Sequence, residues 1–245
     1  MGNTPLRLGL VVFFVLRSIF GFVINEVTLF RKSTIGIVGA YTIDDLPFSI
    51  LYKVSSGLTS VGEDGIPIPS IAKSWKIDNN DKTYTFYLKK NIFFSDNTPL
   101  TSDLISYPFS DVSILRPDKY TIIFTLKNSY SPFLVTVSRP IFKIGFIGVG
   151  GYKVDNLKLN GTFVESIRLV SVKNPKDMLS YQFYPTQDSL KTAFVLSEVS
   201  KIVDLEDVNF KNTNFYLFKN ASVTKSINYR KLVTLFYNTK DKDLS

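Results

Sequence analysis

Two stretches of this chain alternate apolar and polar residues on either side of a turn, and they set what it can fold into. Trp75–Leu88 reads WKIDNNDKTYTFYL, a short run, a polar Asp78–Asp81 turn, then Tyr84, Phe86 and Leu88 at every second position. Tyr152–Val172 reads YKVDNLKLNGTFVESIRLVSV, with Asn160-Gly161 at its centre, the favoured pair for a tight hairpin turn. Period-two alternation places one face of a strand against a core, so both stretches predict antiparallel hairpins. Tyr120–Leu126 (YTIIFTL) alternates in the same way, and Ser33–Ala40 (STIGIVGA) reads as a short buried strand. Asp188 is expected to cap a helix over Ser189–Leu196, and Val233–Tyr237 to form one more buried strand.

The first 32 residues are of another kind. Leu8–Ile24 (LGLVVFFVLRSIFGFVI) is a seventeen-residue apolar run broken by Arg17, Ser18 and two glycines. A bilayer-spanning helix needs about 20 such residues, and a central arginine is costly unless it snorkels. Arg7 and Leu8–Leu16 fit the start of a signal peptide, but no small-residue cleavage site follows. The segment reads as an uncleaved signal anchor, with a cleaved peptide or a buried core helix as the alternatives.

With 44% hydrophobic and 14% aromatic residues, the chain can bury a core. It has no Cys and no His, which removes disulfides, thiolate nucleophiles, imidazole metal ligands and the Ser-His-Asp triad. Carboxylates, lysines and hydroxyls could still do chemistry, so enzymes are not excluded. No catalytic motif is found, however, and the missing groups fit a protein that binds and does not react, with no cofactor and no metal expected. The 29 basic and 21 acidic residues give +8, of which the first 32 residues supply +3. The other lysines are scattered, with no stripe of the kind that neutralises a nucleic-acid backbone. Gly145–Gly151 (GFIGVGG) matches no phosphate-binding pattern and leads into a strand, so it reads as a chain crossover.

Ile66–Tyr107 carries a longer pattern. Pro69, then Ile71-Ala72 with Trp75, then Asp81 to Leu88 (DKTYTFYL), then Phe94, Asp96, Pro99, Thr101 and Asp103 stand in order. Pro132-Phe133-Leu134, Gly148–Val154 and Leu232–Thr239 continue it, with Gly57-Leu58 and Asp64-Gly65 upstream. This ordered set resembles the family 5 extracellular solute-binding proteins, the oligopeptide, dipeptide and nickel binding subunits of bacterial ABC importers. The resemblance implies a mixed α/β, strand-rich fold: an incomplete type II periplasmic-binding-protein lobe with an inserted subdomain, behind the N-terminal hydrophobic helix.

By that resemblance, residues 1–32 are the membrane-targeting segment, 33–50 and 148–245 the first lobe, and 51–147 the inserted subdomain. The implied partners are a peptide or other small solute, an ABC permease, and the membrane through the N-terminal helix. The implied place is the extracytoplasmic face of a bacterial membrane. Tyr41 and Thr42 after the first strand, and Tyr237 and Asn238 at the end of the last, are the positions able to add a peptide like a strand. Two departures stand out. The stretch from Tyr107 to Asp118 is short, so the family's helix there should be lost or reduced. Family members are also about twice as long, so the chain is expected to be a partial form. The alternative function is a membrane-anchored structural or interaction protein that keeps half the fold without binding solute.

Overall fold

The computed structural model describes residues 31–225, and both hairpin signatures fold as hairpins. In chain order, β1 (Arg31–Val38) leads through a 3₁₀ turn at Ile43–Asp45 into the short helix α1 (Phe48–Val54). A small antiparallel pair follows, β2 (Thr59–Val61) with β3 (Pro67–Pro69). Then come β4 (Ala72–Asp78), β5 (Thr83–Leu88), β6 (Val112–Asp118) and β7 (Thr121–Leu126), which form an antiparallel sheet in the order β4-β5-β7-β6. After the one-turn helix α2 (Phe133–Thr136), the chain crosses back as β8 (Tyr152–Asn160), β9 (Phe163–Ser171) and β10 (Asp177–Tyr184). Helix α3 (Gln187–Val195) and the two-residue β11 (Lys201–Ile202) complete a five-stranded sheet of order β11-β1-β10-β9-β8.

In the four-stranded sheet the alternation does its expected work. Tyr84, Phe86 and Leu88 of β5 and Ile122, Phe124 and Leu126 of β7 are buried on one face, joined by Phe94, Phe133 and Ile141. The β4–β5 turn is tight because Asn79, Asn80 and Asp81 all take positive φ (57°, 48° and 59°), which these short polar side chains tolerate best after glycine. Trp75 lies on edge strand β4 and is only partly buried, its ring centroid 6.3 Å from Phe86. The short stretch after Tyr107 carries no helix; its second half is β6, paired with β7.

The five-stranded sheet has a core on one face from Ile35, Ile37, Val164, Ile167, Leu169 and Tyr181, closed by Leu46, Ile50 and Val54. Against its other face α3 packs Leu190 and Ala193, with Val199. Gly161 takes φ 62°, the left-handed turn that Asn-Gly pairs supply. The helix starts earlier than the sequence suggests. Thr186 is the N-cap, not Asp188, because Thr186 and Ser189 form a reciprocal pair: the Ser189 N–H donates to Thr186 Oγ1 at 3.1 Å and the Thr186 N–H to Ser189 Oγ at 3.2 Å. That pairing needs two hydroxyls three residues apart, and Asp188 falls in the first turn instead.

The two connections between the sheets run side by side. Ser55 Oγ donates to the Ile141 carbonyl and accepts from the Val149 N–H at 3.3 Å. The Ile141 N–H donates to the Ser56 carbonyl at 3.0 Å, and the Gly150 N–H to the Val54 carbonyl at 2.8 Å. Gly148 permits the approach, since a Cβ there would lie 2.3 Å from the Val54 carbonyl oxygen. The Gly145–Gly151 stretch is thus a crossover, as read from its sequence.

Residues from Leu205 form a separate unit. In it β12 (Asn209–Phe210) pairs with β13 (Thr213–Asn214), and Phe215 is buried, its ring centroid 6.0 Å from that of Phe210. Among the described residues no helix is long and apolar enough to cross a membrane. The expected anchor Leu8–Ile24 and the expected strand Val233–Tyr237 lie outside the described residues.

Candidate functional site

Strand β1 runs parallel to both β10 and β11, so three carboxyl ends open on one edge of the five-stranded sheet. In open α/β sheets this is the edge where connecting loops diverge and ligands settle. The loops here are Gly39–Thr42 after β1, Pro185-Thr186 after β10 and Val203-Asp204 after β11. The Gly39 N–H still donates to the Tyr184 carbonyl at 2.8 Å, so the β1 loop leaves directly beside the end of β10.

Tyr41 is held by its own chain. Its ring centroid lies 5.1 Å from Phe183, its hydroxyl donates to the Val38 carbonyl at 3.2 Å, and its carbonyl accepts from the Val164 N–H at 2.8 Å. Burial pushes the Tyr41 phenol above its ordinary pKa, with the carboxylates of Asp204 and Asp45 adding to the effect. Tyr41 therefore stays a neutral phenol and acts as the post on which the loop is built.

Thr42 is different. Its backbone is extended (φ −92°, ψ 173°) and half-buried, and its carbonyl accepts from the Asp45 N–H at 3.2 Å. Its hydroxyl does not cap the following 3₁₀ turn. Among the described residues, the Thr42 N–H and hydroxyl have no partner. An extended residue with a free N–H is what a strand-like ligand pairs with.

Of the four residues expected at the site, the structure brings Tyr41 and Thr42 to this edge. Tyr237 and Asn238 lie outside the described residues. Sequence reasoning missed Phe183, Tyr184 and Asp204, because β10 carried no clean alternation: core packs on both of its faces. The usable signal was Tyr184-Pro185-Thr186, an extended residue before proline leading into a helix cap. A groove lies elsewhere, beside Met178 at the other end of β10, roughly 20 Å along the strand from Tyr184.

The same architecture is found in solved bacterial solute-binding proteins. NikZ from Campylobacter jejuni, solved with Ni(L-His), matches 69% of this chain and 42% of its own at a TM-score of 0.60 and 17% identity. The oligopeptide-binding protein AppA from Bacillus subtilis, solved with a nonapeptide, matches 69% and 43% at 0.57 and 16%. At such identities the likeness is one of fold: a mixed α/β, strand-rich periplasmic-binding-protein architecture.

Sequence fixes the family. The sequence model of the bacterial extracellular solute-binding proteins, family 5 middle region, matches residues 67–197, more than half of the chain, and the chain belongs to that family. The probable D,D-dipeptide-binding periplasmic protein DdpA of Escherichia coli is 30% identical over 120 residues, 41% of this chain and 23% of that protein. The dipeptide-binding protein DppE of Bacillus subtilis is 24% identical over 124 residues, 38% of this chain and 23% of its own length. The chain thus aligns with about a quarter of these relatives and less than half of the solved structures.

Proposed function

We propose that this chain binds an extracytoplasmic solute, a peptide, for delivery to an ABC permease. The observation that carries the reading is Thr42, an extended residue with a free N–H and hydroxyl at the carboxyl edge of parallel strands, in a chain of this family. A peptide laid along this edge adds like a strand, taking main-chain hydrogen bonds from Thr42 while Tyr41 holds the loop. Tyr237 and Asn238 belong to the same proposal as contacts from the end of the lobe. Residues 33–50 and 148–245 serve as the first lobe and 51–147 as the inserted subdomain; the separate cores of the two sheets support a division into two parts before Leu205, with Val54 packed in the core of the five-stranded sheet. Of residues 1–32, those before Arg31, where β1 begins, hold the protein at the outer face of the membrane.

Thermal unfolding of the full chain against a broad peptide pool tests this. A ligand at 100 times its Kd stabilises by about 2.7 kcal/mol, enough to raise the melting temperature by several degrees. Thr42→Pro, which removes the N–H, is expected to abolish the shift. A flat response across the pool overturns the reading and favours a membrane-anchored interaction protein.

A further inference from the structure

The groove beside Met178 lies on the face of the five-stranded sheet that α3 covers only at its other end. It has a volume of about 700 Å³, within the range of small-molecule sites. Its floor is apolar: Val170, Val172 and Met178, from the end of β9 and the start of β10. Val172 is 47% exposed, Met178 is half-buried and Val170 is buried, so solvent reaches this floor at its Val172 and Met178 end. Ser95 and Asn97, from the loop after β5, form the opposite rim, and the Ser95 N–H fixes that loop by donating to the Gly148 carbonyl at 2.9 Å.

Charge on the walls is unbalanced. Arg168 Nε donates to Asp155 Oδ2 at 2.6 Å, which pairs the two charges through one carboxylate oxygen and orients the guanidinium. Among the described residues, the two terminal nitrogens of Arg168 have no partner, and Lys153 has no acidic one. A further carboxylate, Asp96, is already paired with Lys143 at 2.9 Å. The groove therefore presents a half-used guanidinium and an unpaired ammonium above an apolar floor.

We propose that this groove is a second binding site, for a small organic anion with an apolar tail. Its carboxylate sits between Lys153 and Arg168 and its tail lies over Val170, Val172 and Met178. A guanidinium whose Nε is fixed by Asp155 offers its two terminal nitrogens as a ready fork for a carboxylate. The site is separate from the strand-end edge that carries Thr42, so its occupancy does not depend on peptide binding there.

Met178 makes the test direct, since it and Met1 are the two methionines of the chain. The full chain labelled with ¹³C-methyl methionine is titrated with 4-phenylbutyrate and, separately, with 4-phenylbutylamine. The expected result is a saturable shift of the Met178 methyl with the acid, absent with the amine and weakened by added salt. Lys153→Gln is expected to weaken binding at least fivefold and Lys153→Arg to restore it, with the Trp75 fluorescence unfolding midpoint unchanged in both. Equal response to acid and amine, no movement of Met178 up to millimolar acid, or undiminished binding by Lys153→Gln would overturn the proposal.

Discussion

The Ser55 hydroxyl bridges the two connections between the sheets, donating to the Ile141 carbonyl and accepting from the Val149 N–H. The residue is fully buried, so Ser55→Ala leaves that carbonyl and N–H without a partner and without water to replace it. The expected cost is about 1–3 kcal/mol, read as a lower urea midpoint at unchanged slope. Nothing in the sequence near Ser55 announces this, since its partners lie 86 and 94 residues away. Asp96 behaves differently. It accepts from the Thr98 N–H at 3.0 Å within its own turn and pairs with Lys143, 47 residues on, which no local pattern announces. The Lys143 ammonium, and then Thr98, hold the Asp96 carboxyl well below the usual range, at about 2. A pKa lowered by folding stabilises above the unfolded value of about 4 and is lost as pH falls through the folded one. Stability is therefore expected to decline between about pH 4 and 2, and Asp96→Asn to flatten that part of the denaturation curve.

Elements were legible wherever the pattern is local. The β4–β5 and β8–β9 hairpins follow from alternation and turn residues within a single window of sequence, and both folded in place. Strand β10 did not announce itself, because it lies between β1 and β9 with core on each face, and its partner β1 is more than a hundred residues away. The start of α3 was misplaced for a smaller reason: a single acid was read as the cap where two hydroxyls share the role. Thr186→Ala removes the acceptor of the Ser189 N–H and is expected to cost about 1 kcal/mol by urea denaturation. Asp188→Ala leaves both bonds of the capping pair in place, so its effect should be clearly smaller. A loss at Asp188 matching that at Thr186 would contradict this account of the helix start.

For the molecule as a whole, family resemblance conveyed what local pattern does not: that two sheets with separate cores are threaded by one chain that leaves the first and returns to it. The position of Tyr41 and Thr42 at the strand-end edge was legible in this way, as residues following β1, while Phe183 and Asp204 reach that edge through strands that meet only in the fold. How firmly the sheets act together is set by their paired connections. Four hydrogen bonds across Val54–Ser56 and Ile141–Gly150, all made by backbone or a buried hydroxyl, tie each connection to the other. Opening one sheet alone would break them in a buried place and expose part of both cores. Unfolding of the two sheets is therefore expected to be one transition. Trp75, the single tryptophan, packs on the four-stranded sheet, and Met178 lies in the five-stranded one, so each sheet carries its own probe. Tryptophan fluorescence and the Met178 methyl signal should share one urea midpoint. Phe124→Ala, which empties space in the first probe's core at a cost of about 3–5 kcal/mol, should lower both midpoints together. If the Met178 midpoint stays in place while that of Trp75 falls, the connections do not couple the sheets, and each folds on its own account.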